Sequence, residues 1–356
     1  MRVGSYLLLS SVIAGCSAPS ATPDSVLSDA APKPDGMSPQ PPNLACFGPS
    51  LAMPVRRGLP LTNVTLPSAT ATTSGDFLLD LATTASVIDP SAFTPQPQAT
   101  ACTSTSCSYA SFDFFGNWGA VRLSTQSLSF SGIDQAGILG TDFFASGVYT
   151  LDYRRQRVHQ ATQAAACSAS QLAAAAMIAL PSNGFYAAQP SRLRPLRDVD
   201  ADANAGVTVA NVPTVPLQIA SITAHAQLDT GFDDTLVPFS ININEAFFHA
   251  LQTAHPGALQ RDAARDLSLT TCVGQAESVR AYKVAAGTPT ALLDTTNQPA
   301  LRFFGATVFV KTRSTVTRPC GGIGTWTVPA AQLGAAFFAQ RVWSFDPFSA
   351  TVWVSA

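Results

Sequence analysis

Residues 139–153 read LGTDFFASGVYTLDY, and residues 333–347 read LGAAFFAQRVWSFDP. Aligned without a gap, Leu139/Leu333, Gly140/Gly334, Phe143/Phe337, Phe144/Phe338, Ala145/Ala339, Val148/Val342 and Asp152/Asp346 are identical, and Tyr149/Trp343 is similar. Seven identities in this window of fifteen compare with about one from background composition, so the pair is an internal repeat. A second pair lies upstream. In residues 77–88 (FLLDLATTASVI) and 226–237 (AQLDTGFDDTLV), Leu79-Asp80 matches Leu228-Asp229, and Ser86-Val87-Ile88 matches Thr235-Leu236-Val237. Each half therefore runs Leu-Asp, a cysteine pair, then Leu-Gly-x-x-Phe-Phe, the order that a duplicated lobe produces.

The segments around these landmarks are short, rich in Val, Thr, Leu and aromatics, and punctuated by Pro, Gly and Asn, which predicts strands. Examples are 61–66, 77–79, 121–130, 148–153, 215–219, 303–311 and 342–345. The fold class expected is all-β, two duplicated β-barrel lobes with a cleft between them. Residues 161–180 are the exception: their alanines, with Leu and Met, favour helix. The Phe-Phe pairs at 143/144, 247/248, 303/304 and 337/338 are expected to fill the core. The domain boundaries expected are a leader at 1–16, a proline-rich tether at 17–45, a first lobe at 46–160, a connection with the alanine-rich helix at 161–210, and a second lobe at 211–356.

Composition removes several function classes. The chain has 356 residues, 46% of them hydrophobic and only 12% charged, with a mean hydropathy of +0.19. Twenty Lys and Arg against 22 Asp and Glu, with no basic cluster, leave nothing to neutralise phosphates, so a nucleic-acid partner is not expected. No G-x-S-x-G elbow is present, so a serine hydrolase is not expected. His159, His225, His249 and His255 form no H-E-x-x-H pattern and the cysteines no C-x-x-C pair, so neither metal nor cofactor is expected.

Arg2, the apolar run from Tyr6 to Val12 and the small residues Ala14-Gly15 before Cys16 read as a secretory signal too short to span a bilayer. Ile13-Ala14-Gly15-Cys16 resembles the lipobox of bacterial lipoproteins, which implies lipidation of Cys16, and Ser17 after it implies the outer membrane, facing periplasm or cell surface. The alternative is an ordinary cleaved signal. Residues 17–45 hold seven prolines among Ser, Ala and Asp and read as a tether. The other cysteines, Cys46, Cys102, Cys107, Cys167, Cys272 and Cys320, are even in number, as disulfides in an exported protein require. Cys102 and Cys107 are close enough for a local loop, and the other pairings stay open at this level.

Asp229-Thr230-Gly231 sits at the end of an apolar strand. Leu228 to Thr235 resembles the active-site segment of retropepsin-type aspartic proteases, and Gly137-Ile138-Leu139-Gly140 and Gln332-Leu333-Gly334 resemble the hydrophobic-hydrophobic-Gly element that crosses behind it in that clan. Cys102/Cys107 after Asp80, and Cys272/Cys320 after Asp229, resemble the intralobe disulfides of pepsin-like enzymes. The resemblance covers about residues 55–356 and implies a monomeric, bilobal aspartic endopeptidase whose partner is a polypeptide substrate or peptide ligand. Membrane contact is expected through the N-terminal lipid only. The catalytic pair it implies is Asp80 and Asp229, sharing one proton because two adjacent carboxylates do not both ionise. Thr230, Gly231 and Thr83 support the catalytic loops, and Phe115, Gly116 and Trp118 are candidates for the flap that precedes Gly137.

The first lobe departs from that pattern by reading Asp80-Leu81-Ala82 where Asp-Thr-Gly is expected. Leu81 has no hydroxyl to bond across to the other lobe, so half of the interlock between loops is missing. Thr83 keeps a hydroxyl three residues after Asp80, whereas Phe232 at the matching place after Asp229 does not. Two readings follow: an active endopeptidase, or a pseudoprotease that binds peptides or acts as a lipid-anchored scaffold.

Overall fold

The computed structural model describes residues 42–83, 86–116, 118–128, 133–144, 146–182, 212–233, 237–270, 276–312 and 323–355. Cys16, Cys272, Cys320, the leader and most of the tether lie outside these residues. The first half contains β1 (Ser50–Ala52), β2 (Val55–Arg56), β3 (Leu59–Pro67), β4 (Thr72–Leu79), β5 (Val87–Ile88), β6 (Ala101–Cys102), β7 (Ser106–Tyr109), β8 (Val121–Thr125), β9 (Gly137–Leu139), α1 (Thr141–Phe144), β10 (Val148–Asp152) and β11 (Arg157–Ala161). Then come α2 (Ala169–Ala174), β12 (Met177–Pro181), β13 (Thr214–Ile219), β14 (Ile222–Leu228), β15 (Ser240–Asn244), α3 (Glu245–Ala254), β16 (Leu259–Arg261), β17 (Leu267–Thr270) and β18 (Ala276–Val284). The chain finishes with β19 (Thr290–Leu293), β20 (Pro299–Phe303), β21 (Thr307–Lys311), β22 (Ala330–Leu333), β23 (Val342–Asp346) and β24 (Thr351–Ser355).

The fold is all-β and bilobal. One lobe is built on an eight-stranded sheet ordered β2-β3-β4-β9-β5-β8-β7-β6, the other on a ten-stranded sheet that contains the path β21-β15-β22-β14-β13. The same motif stands at the centre of both. In the first, β9 lies parallel to β4 and antiparallel to β5, and β5 runs parallel to β8. In the second, β22 lies parallel to β14 and antiparallel to β15, and β15 runs parallel to β21. Both β4 and β14 begin partly exposed and end buried on both faces, so each carries its terminal Leu-Asp out of solvent into the lobe. Parallel pairing buried on both sides suits such short apolar strands. Gly137 is required where β9 passes β4, because a Cβ there would stand 2.1 Å from the Phe77 ring opposite it.

A third, six-stranded sheet, β1-β11-β10-β23-β24-β12, joins the halves through the antiparallel pair β10 and β23. These two strands come from the quoted repeat, so the duplicated sequence forms the seam between lobes. One buried apolar cluster runs through it from Leu79 and Leu139 by Tyr149, Leu151, Trp343 and Phe345 to Leu228 and Leu333. No helix among the described residues is long and apolar enough to cross a membrane.

Several expectations change in detail. The alanine-rich stretch is helical only from Ala169 to Ala174, between a Ser168/Gln171 capping box and Ala176, whose φ of 57° ends it. Beyond it Met177–Pro181 pairs with Thr351–Ser355, so sheet pairing overrides the helix propensity of alanine. The strand expected over 303–311 is two strands, separated by Gly305 at φ +67°. β8 stops at Thr125 rather than reaching 130. Most of the Phe-Phe pairs are core, but Phe304 is 83% exposed. The ungapped match of Val87 with Leu236 also fails: Val87 pairs with Ile138, and the residue opposite Gln332, the repeat mate of Ile138, is Asn242.

Candidate active site

Asp80 and Asp229 follow the last residues of β4 and β14, and equivalent hydrogen bonds hold them. The Asp80 N–H donates to the Leu139 carbonyl at 2.9 Å, and the Asp229 N–H to the Leu333 carbonyl at 3.2 Å. Each Oδ1 accepts from the N–H two residues on, Ala82 at 2.8 Å and Gly231 at 2.9 Å. Behind each loop the N–H of Thr141 or Ala335 donates to the carbonyl of Thr83 or Phe232, at 2.8 and 2.9 Å. These three bonds are repeated across the two lobes.

The two carboxyls lie close enough for each to act on the other's ionisation, and they are 6% and 5% exposed. Gly231 explains how close the loops come. A Cβ on it would stand 2.7 Å from Asp80 Cγ, so only glycine lets the second-lobe loop lie against the first-lobe carboxyl. Its φ is not in the left-handed region, nor is that of Ala82, so close approach and not backbone conformation sets the requirement.

Thr230 links the loops from one side only. Its Oγ1 accepts from the Leu81 N–H at 3.0 Å and donates to the Leu79 carbonyl at 2.6 Å, with no exposure. Leu81 sends its side chain into the apolar core and returns neither bond.

The outer oxygens are treated differently in the two lobes. Asp80 Oδ2 accepts from Thr83 Oγ1 at 2.6 Å. Asp229 Oδ2 instead accepts from Gln332 Nε2, and Gln332 Oε1 accepts from Asn242 Nδ2 at 2.8 Å. Neither amide was singled out as a site residue by sequence reasoning. The available signal was Gln332 itself, a polar residue where its repeat mate is Ile138.

Burial raises the pKa of Asp229 well above the ordinary aspartate range, and the Asp80 charge adds to it. Burial also raises Asp80, but Thr83, the Ala82 N–H and Asp229 hold it down. Both carboxyls are thus raised, Asp229 the further of the two, so Asp229 holds a shared proton more readily than Asp80. Tyr153, buried nearby, is pushed up by desolvation and by the Asp229 charge.

The flap candidates are occupied within the first lobe. They belong to the loop joining β7 to β8, which pair at Tyr109 and Val121. Phe115 packs on Phe114 and Tyr149, the Gly116 N–H donates to Asp113, and Trp118 lies 4.6 Å from Phe143 with its Nε1 donating to the Phe114 carbonyl. Asp233 forms an ion pair with Arg57 of the first lobe. The disulfides described are Cys102–Cys107 and Cys46–Cys167, the second tying the segment before β1 to the one before α2.

Two β lobes that each deliver an aspartate from a strand end into one shared buried site define a bilobal aspartic-protease-like fold. Neither a family model nor a curated protein sequence matches the chain. Among solved structures, the basic 7S globulin from soybean aligns over 86% of this chain and 94% of its own, at 11% identity and a TM-score of 0.40. Conglutin gamma, a basic 7S globulin from lupine seeds, aligns over the same shares at 9% identity and a TM-score of 0.39. Function has to be read from the residues of the site themselves.

Proposed function

We propose that the chain is an aspartic-type endopeptidase acting on extended polypeptides. The observation that carries this reading is that Asp80 and Asp229 are buried at symmetry-related strand ends, with the Gly231 loop beside Asp229 lying against the Asp80 carboxyl. Ionised Asp80 takes a proton from a water as that water attacks the peptide carbonyl carbon, while Asp229 gives its proton to the carbonyl oxygen. Collapse of the tetrahedral diol then returns that proton to Asp229, and the proton held by Asp80 passes to the departing amine. Asp80 is left ionised and Asp229 protonated, as at the start.

A second reading, a peptide-binding pseudoprotease, is favoured by one observation: Leu81 fills apolar space where a hydroxyl would complete the interlock. Digestion of an unfolded protein between about pH 3 and 7 separates the two, because a dyad sharing one proton works only between the pKa values of its members. Cleavage inhibited by pepstatin and lost in both Asp80→Asn and Asp229→Asn supports the enzyme. Pepstatin binding without turnover, with cleavage gained on Leu81→Thr/Ala82→Gly, supports the pseudoprotease. The Cys46–Cys167 and Cys102–Cys107 disulfides fit an exported protein. Lipidation at Cys16 in the outer membrane is the anchoring we propose, read out by radiolabelled palmitate incorporation and its loss in Cys16→Ser.

A further inference from the structure

We propose that Gln332, oriented by Asn242, is the positioning residue for Asp229, replacing the hydroxyl that the second lobe lacks at Phe232. This rests on the endopeptidase reading above and deepens it. In the first lobe the outer carboxylate oxygen is held by the hydroxyl three residues after the aspartate, Thr83 on Asp80. In the second lobe that place is Phe232, which has nothing to donate, and the outer oxygen of Asp229 is held from behind by Gln332 Nε2 instead.

The geometry of the amide pair fixes its direction. Asn242 and Gln332 face each other in register across β15 and β22, 3% and 8% exposed. Because Asn242 Nδ2 donates to Gln332 Oε1, the remaining face of the Gln332 amide is its NH2, and that group is directed at Asp229. Reversing Gln332 would set its oxygen against the carboxyl and one NH2 against another. Two buried amides are costly unless their hydrogen bonds are made. The same two positions in the first lobe are Val87 and Ile138, an apolar register pair. The second lobe has thus exchanged a hydrocarbon pair for a donor relay in the lobe whose loop lost its hydroxyl.

The test is Gln332→Met, which keeps length and removes the donor, with Asn242→Val as the milder variant and Gln332→Met/Phe232→Ser as the rescue. Gln332→Met is expected to lower kcat by about 10- to 100-fold with KM within about twofold, since misplacement of a catalytic group is felt in the chemical step. The double variant regains most of that loss, because Ser at 232 restores a hydroxyl three residues after Asp229. The alkaline limb of kcat should move to higher pH in Gln332→Met, because a donor to the ionised carboxylate is gone. The titratable group acting on Asp229 is Asp80 from the end of β4, and Asp229 in turn acts on Tyr153 after β10; neither is altered.

If the wild-type protein cleaves nothing, the endopeptidase reading fails while the positioning claim is still decided by carbon-detected NMR titration of the aspartate carboxyls, assigned with Asp229→Asn. There Gln332→Met, or Asn242→Val where the first does not fold, must raise the Asp229 midpoint. An unchanged kcat, pH limb and midpoint in a folded Gln332→Met protein overturns the proposal, as does a loss that Phe232→Ser leaves unrelieved.

Discussion

Thr150 donates a hydrogen bond at 2.9 Å to Ser344, its own counterpart 194 residues along the chain. The pair stands at the centre of the β10–β23 seam, where Tyr149 meets Phe345 and Leu151 meets Trp343. Tyr149 thus meets the mate of Leu151 and Leu151 the mate of Tyr149, as a twofold axis through Thr150 and Ser344 requires. Both side chains are buried, at 1% and 2% exposure. Thr150→Val should cost about 1–3 kcal/mol by leaving the Ser344 hydroxyl without its donor. Adding Ser344→Ala should recover part of that cost, and a double-mutant cycle by urea unfolding measures the recovery. Strict additivity of the two losses would contradict the pairing.

The interlock at the dyad is one-sided, so its remaining half carries all of it. Thr230→Val removes a hydroxyl that serves the Leu81 N–H and the Leu79 carbonyl, both in other-lobe backbone. A loss of about 1–3 kcal/mol in stability is expected from orphaning a buried group, together with a fall in cleavage rate. Leu81→Thr tests the converse. It sacrifices apolar burial worth about 1–3 kcal/mol but offers a hydroxyl to the opposite loop, so turnover should rise while thermal stability drops. Equal turnover in Leu81→Thr and wild type would show that the interlock does not limit the chemistry.

The two-lobe plan was legible in the sequence because the repeat falls on the seam strands and on Leu-Asp, where duplication fixes both packing and hydrogen bonding. Legibility ended where the lobes diverge. Ungapped matching past Asp229 mispaired Val87, since the second-lobe loop is longer before β15 begins at Ser240. Gln332 looked like one more member of a Gln-Leu-Gly crossing element, and only the sheet register brings Asn242 and Asp229 to its two ends. The Cys46–Cys167 pairing spans 121 residues and depends on Phe47 and Leu172 packing together against Val342 and Trp353 of one sheet, a relation without local signal. The alanine count over-predicted helix because strand partners at Thr351–Ser355 lie far away in the chain.

Stability should depend on pH through the same dyad. Asp229 has a folded pKa raised by burial and by the Asp80 charge. The stability contributed by its neutral form is complete below the unfolded aspartate pKa and is lost as pH rises through the raised folded value. Asp80 and Asp142, both raised chiefly by burial, act in the same direction. Asp229→Asn removes one such group, so its melting temperature should fall less steeply than that of wild type between acid and neutral pH. Melting curves by circular dichroism across that range check this, and parallel profiles would exclude Asp229 as a buried neutral acid.

Gly231 gives the most direct test of how closely the lobes meet. Its N–H donates to Asp229 while its Cα hydrogen faces Asp80, so a single residue touches both carboxyls. In Gly231→Ala the new methyl would stand 2.7 Å from Asp80 Cγ, inside van der Waals contact and against a carboxyl already fixed by Thr83 and Ala82. The carboxyl cannot turn aside without breaking those bonds, so the loops must separate. Overpacking of this kind costs about 1–3 kcal/mol in stability. The larger effect is expected in cleavage, which should fall by about 100-fold or more when the carboxyls are displaced by an ångström. Ala82→Gly, on the opposite loop, removes a methyl and should leave folding intact. A Gly231→Ala protein that cleaves at the wild-type rate would mean that the two loops do not approach as closely as the Asp80 contact requires.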